Sequence, residues 1–227
     1  MTMDRKDLNI YLQPTEVIES DNDEIREAAR RLTEGVHGPG RKGVSLFYFV
    51  RDRIHYNVYM ISTSLEDFRA SVTLSRRKGY CVQKAVLLAA LARAAGIPSR
   101  LAFAKIRNHR APEQLVKQTG SNILPSHGYA QFYLSGKWVS ATPAFDRSLC
   151  EKIGLPPVEF DGVHDALLSD ADLSGRPFIE YLEKYDPQAD FPFFWLRERL
   201  LPIWGEKSAW LRDEDSRGHV MRSGYLF

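Results

Sequence analysis

The sequence predicts an α+β domain in which one buried helix packs against an antiparallel β-sheet. Three stretches carry that prediction. "CVQKAVLLAALARAAG", from residue 81, is apolar on nearly every side, the pattern of a central, buried helix. "SRLAFAKI", from residue 99, alternates and reads as a strand. "HGYAQFYL-SG-KWVSAT", residues 127–142, reads as a β-hairpin turning at Ser135-Gly136.

The other elements follow in chain order. "ESDNDEIREAARRLTEG" opens with cap-type residues, keeps helical spacing at Ile25, Ala28, Ala29 and Leu32, and closes on Gly35. "VSLFYFVRDRIHYNV" reads as a second helix with Leu46, Phe47, Val50 and Ile54 on one buried face. His55 falls near its end, where capping is the default role for an imidazole. The third helix starts at Cys81; Gly96 can take the left-handed position after its end, and Pro98 prevents continuation. "RNHRAPEQLVKQTGSNILPS" is polar and reads as a surface loop. The hairpin register pairs Tyr133 with Trp138 and Tyr129 with Thr142. "LCEKIGLPPVEFDGVHDALLSD" is loop-rich, and "FIEYLEKY" and "FPFFWLRERLLPIW" read as short amphipathic helices. The polar tail from Gly205 carries scattered aromatics expected to pack back on the domain. With no repeat, low-complexity tract or Gly/Ser linker, the reading is one domain over 1–227, with a core at about 40–165 and a helical extension at about 166–227.

Charge narrows the function classes. The net charge is +2, from 31 basic and 29 acidic residues, which gives no push toward nucleic acid or an anionic membrane. "RRK" at 76–78 reads as a solvated loop. The first residues lack a signal-peptide core, and no stretch approaches the roughly 20 apolar residues of a membrane span. Two cysteines make neither a disulfide framework nor a metal-type pair, and chemistry at a thiol needs no metal or cofactor. The reading is a cytoplasmic protein with a free thiol, whose oligomeric state the sequence leaves open.

The position of that thiol points to chemistry. Cys81 stands at the first turn of the buried helix, where unpaired N–H groups and the helix dipole favour a thiolate and can hold an oxyanion. Gly79 just upstream lets backbone approach a substrate closely. The plainer reading is a small apolar residue filling a core gap, and only a partner base separates the two. Cys150, in "RSLCEKIG", lies away from any cap or base and reads as a packing residue that titrates normally.

Of the six histidines, His37, His109 and His219 read as exposed, and His164 sits between acids. His127 differs because it opens an alternating strand, sharing a face with Tyr129, Gln131 and Tyr133. The expected register makes Thr142 its diagonal neighbour on that face. A strand-end histidine paired with water would fit the same pattern.

"GYCVQKAVLLAALARAAGIPSRLAFA" followed by "HGYAQFYLSGKWVSATPAFD" resembles the transglutaminase-like core domain over residues 79–146. That resemblance implies a papain-like α+β fold and acyl transfer through a thioester, with Cys81 as nucleophile and His127 as base. Tyr80, Gly79 and Tyr129 flank the pair as expected substrate contacts. The family's aspartate stands four residues after the hairpin tryptophan, where this chain has Thr142. Asp146 and, farther on, Asp161 are the other candidates to orient His127. A threonine oxygen fixes a tautomer but cannot stabilise imidazolium by charge. The expected activity is a hydrolase or acyl transferase acting on a peptide or other amide. The competing reading is an inert peptide-binding module on the same fold, supported by loss of the family aspartate.

Overall fold

The apolar run from residue 81 folds as a helix with no solvent face. The computed structural model describes residues 5–205. In chain order the elements are a single turn α1 (Arg5–Leu8), α2 (Asp23–Thr33), α3 (Pro39–Arg53), β1 (His55–Tyr56), α4 (Ala70–Arg76), β2 (Lys78–Gly79), α5 (Cys81–Ala94) and β3 (Ser99–Asn108). There follow α6 (Glu113–Thr119), β4 (Ile123–Leu134), β5 (Lys137–Ala141), α7 (Arg147–Ile153), β6 (Ile179–Lys184) and α8 (Phe193–Trp204). The aromatic tail and His219 lie outside the described residues.

Helix α5 is buried from Cys81 through Arg93, its two charged residues included. Lys84 Nζ donates to the Arg51 carbonyl at 3.0 Å, and the Arg93 guanidinium donates to the Ser99 carbonyl at 2.9 Å and to the Gln13 and Ala189 carbonyls. Backbone oxygens satisfy these buried groups, although burial still pulls Lys84 down to about 7. Asn22 caps α2 as its sequence predicts, accepting from the N–H groups of Glu24 and Ile25.

The main sheet is antiparallel in the order β5-β4-β3-β6. Ser135 and Gly136 both have positive φ, 49° and 85°, the left-handed pair of a two-residue hairpin turn. The register then pairs Tyr133 with Trp138 and Ala130 with Ala141, as expected. Continued one residue, it sets Thr142 opposite Tyr129 and on the face of His127. Helix α5 closes on β4 at Gly128, where a Cβ would stand 2.9 Å from Val82 Cγ2.

Four local expectations change. "FIEYLEKY" is not a helix: it forms β6, the edge strand on β3, so the expected helical extension supplies part of the core sheet. Eight residues with mixed apolar spacing fit either period, and pairing to β3 decides. The polar stretch after β3 is not a plain loop. Leu115 buries one face of α6, and Gly120, with φ 71°, ends it in the left-handed conformation. Helix α3 stops at Arg53, so His55 does not cap it but lies in β1, pairing in parallel with Lys78. Residues 149–153, expected within a loop-rich stretch, belong to α7.

Candidate active site

Tyr80 precedes α5 in an extended conformation, and its hydroxyl does not cap the helix. Gln83, at the third helical position, does that work. Its Oε1 accepts the Tyr80 N–H at 3.1 Å, and its Nε2 donates to the Asp67 carbonyl at 2.8 Å. A Cβ on Gly79 would meet Gln83 Cβ at 3.1 Å and Thr73 Cγ2 at 3.4 Å. The absent side chain at Gly79 therefore makes room for Gln83, where the sequence suggested room for a substrate.

Cys81 is 6% exposed. The backbone N–H groups of Gly128, Val82 and Cys81 itself face the sulfur and favour its thiolate, but burial outweighs them and pushes the thiol up to about 11. His127 is 2% exposed, and burial pulls its imidazole down to about 4. The helix start alone implied a lowered cysteine pKa. In the enclosed site desolvation wins, and near pH 7 the two groups are a neutral thiol and a neutral imidazole.

Gly128 N–H against the sulfur places His127, one residue earlier, beside the start of α5. The Tyr129 ring lies nearly parallel to the His127 ring at 6.1 Å, and the Tyr181 ring meets it edge-on at 6.3 Å. The Tyr181 hydroxyl accepts the Leu168 N–H at 3.3 Å. Burial raises its phenol pKa, with Tyr129 and Cys81 adding to the rise and the Thr142 hydroxyl opposing it. Tyr181 thus borders His127, Thr142 and Cys81 together. Tyr56 and Tyr80 bring two more buried phenols close enough that a thiolate at Cys81 would act on them.

Among the described residues, three buried side-chain polar atoms lack a hydrogen-bond partner: Tyr80 Oη, His127 Nε2 and Thr142 Oγ1. All three belong to the cluster around Cys81. A buried unpaired polar atom costs on the order of 1–3 kcal/mol, so their gathering at one place marks it as a site.

None of the three proposed orienting residues holds His127 Nε2. Asp146 caps α7: its carboxylate accepts from Tyr56 N–H at 2.9 Å, Ser148 Oγ at 2.5 Å and Leu149 N–H at 3.1 Å. Asp161 is exposed and binds His164 Nδ1 at 2.7 Å. Thr142 stands on the correct face but makes no bond to the ring. Cys150 is buried in α7 as expected for packing, yet it does not titrate normally: burial, with Asp146 beside it, pushes it up to about 12.

The sequence reading missed Gly128, Gln83 and Tyr181. A glycine inside a strand signals close backbone approach, and a glutamine three residues after a helix start signals a capping box. Tyr181 gave no signal once its segment was taken for a helix.

A model of the transglutaminase-like superfamily matches residues 26–143, which span Cys81, His127 and Thr142. The chain belongs to that superfamily. No curated protein matches it. Among solved structures it is similar to a candidate cysteine protease from Cytophaga hutchinsonii, at 17% identity and TM-score 0.48, over 82% of this chain and 55% of that one. It is also similar to the periplasmic domain of TgpA from Pseudomonas aeruginosa, at 21% identity and TM-score 0.45, over 63% of this chain and 48% of that one. The chain spans about half the length of these solved chains. Among the described residues, no helix is long and apolar enough to cross a membrane.

Proposed function

We propose that this protein is a cysteine-dependent acyl-transfer enzyme acting on amides, with peptides as the natural class of substrate in a reducing, cytoplasmic setting. The observation that supports it most is the cluster of unpartnered polar atoms around a thiol at a helix start. Cys81 attacks the substrate carbonyl while His127 takes the thiol proton. His127 returns that proton to the leaving nitrogen, and water or an amine then resolves the thioester. Because both groups are neutral at rest, proton transfer accompanies attack instead of preceding it.

A second reading is favoured by one specific observation: among the described residues no carboxylate holds His127 Nε2. That reading is a module that keeps the fold and binds peptides without reacting. Intact-mass measurement after incubation with p-nitrophenyl acetate and with a panel of peptide amides separates the two. Acetylation of the wild-type protein that disappears in Cys81→Ala is the expected result, and adding a primary amine identifies the acceptor. A wild-type protein that is never acylated but binds peptides would establish the module instead.

A further inference from the structure

We infer that the Tyr80 hydroxyl is an oxyanion donor, acting together with the backbone N–H of Cys81. This rests on the acyl-transfer reading and adds a catalytic residue to it. Tyr80 is 3% exposed, and its Oη is one of the three buried side-chain polar atoms without a partner among the described residues. A phenol in such a place ordinarily finds an acceptor. Here the hydroxyl has none among the described residues, and the next residue in the chain is the thiol, Cys81.

The surroundings fix this side chain from two directions. Gln83 anchors the Tyr80 backbone N–H at 3.1 Å and is itself tied to Asp67. The Tyr80 ring meets the Phe68 ring edge-on at 6.2 Å, and Phe68 packs on Phe191 at 4.7 Å. A negative charge on Cys81 or on the Tyr56 phenol would raise the Tyr80 pKa further, so both groups lie within electrostatic reach of its hydroxyl. A rigid, desolvated donor with no ground-state partner is what transition-state stabilisation requires, because no competing bond must break when charge develops.

The Sγ–C bond forms as the carbonyl π pair moves onto oxygen, and the thiol proton passes to His127. The oxyanion accepts hydrogen bonds from Tyr80 Oη and the Cys81 N–H. Collapse re-forms the carbonyl, breaks the bond to the leaving nitrogen or oxygen, and returns the proton from His127 to that group.

Tyr80→Phe tests this cleanly, since it deletes a hydroxyl that bonds to no group among the described residues. Two rates are compared at one pH: acetylation by p-nitrophenyl acetate, which passes through an oxyanion, and alkylation by iodoacetamide, which does not. The expected result is a fall in acetylation of about 100-fold or more, set by loss of one oxyanion donor, with alkylation unchanged and the thermal midpoint no lower, since a buried unpaired hydroxyl is removed. Unchanged acetylation overturns the inference. Equal loss of both rates also overturns it, because Tyr80 would then act on the thiol and not on the oxyanion. A wild-type protein that is not acetylated at all sinks the acyl-transfer reading itself, a result distinct from either.

Discussion

Replacing Gly128 by alanine perturbs the contact that brings the nucleophile helix to the histidine strand. The backbone there has no positive φ, so alanine meets no conformational penalty and only the contact matters. Its Cβ would sit 2.9 Å from Val82 Cγ2, 3.0 Å from Val82 Cα and 3.3 Å from Val82 Cβ. A rotamer change at Val82 relieves the first distance but leaves the other two, so β4 and α5 must move apart by several tenths of an ångström. Overpacking of this kind costs about 1–3 kcal/mol. The same movement draws the Gly128 N–H from the sulfur and shifts His127, and misplacement by about 1 Å can cost ~100-fold in rate. Urea unfolding and p-nitrophenyl acetate acetylation report the two effects. Adding Val82→Ala should restore only part of the stability, because the Cα and Cβ contacts persist. If Gly128→Ala stays within about 0.5 kcal/mol of wild type and acetylates at the same rate, the reasoning fails.

His127 gives a stability prediction with a definite sign. In the unfolded chain it titrates near 6.5 and in the folded protein at about 4, so between these values the unfolded state binds the extra proton and stability falls as pH falls, by up to about 3 kcal/mol. Urea midpoints at pH 4.5 and 7.5 should differ less in His127→Gln; an equal difference in both proteins refutes the assignment. Asp146→Ala removes the α7 cap and strands the buried Tyr56 N–H, so it should lower stability by about 2–4 kcal/mol. The acetylation rate of the molecules that remain folded should change little, and a loss of several orders of magnitude at full folding would make Asp146 a triad acid after all. Cys81 should alkylate slowly at pH 7 and faster as pH rises toward 11, with Cys150 slower throughout; peptide mapping that finds Cys150 modified first removes Cys81 as the reactive thiol.

Much of the architecture is legible because single residues force it. Ser135-Gly136 dictates a two-residue turn, and the turn fixes the register that carries Thr142 to the face of His127. The apolar belt of α5 announces a central helix, and Cys81 marks its start. What sequence periodicity could not reveal depends on pairing across the chain. Tyr181 becomes part of the site only because β6 adds to β3 and not to itself as a helix. Asp146 lies at the right distance in sequence for an orienting carboxylate, but Ser148, Leu149 and Tyr56 claim both its oxygens. Local hydrogen bonds at a helix start satisfied it first. The thiol's pKa was equally out of reach, because the helix N-terminus can be read from residues 79–83 whereas the burial that outweighs it comes from packing around the completed site.

The missing carboxylate and the neutral resting pair are consistent with each other. A thiolate–imidazolium pair held in advance would place two charges in a buried pocket, and with no acid behind the imidazole only the thiolate could compensate its charge. Desolvation there favours the uncharged forms of both groups. With Thr142 where an aspartate would stand, positive charge on His127 is tolerated only while a negative charge faces it. In the proposed reaction that negative charge would be the substrate oxyanion, and the ion pair would exist only as the tetrahedral intermediate forms. Stabilising the oxyanion then also stabilises the imidazolium opposite it. A donor such as the Tyr80 hydroxyl consequently matters more in this site than in one where a carboxylate shares the task.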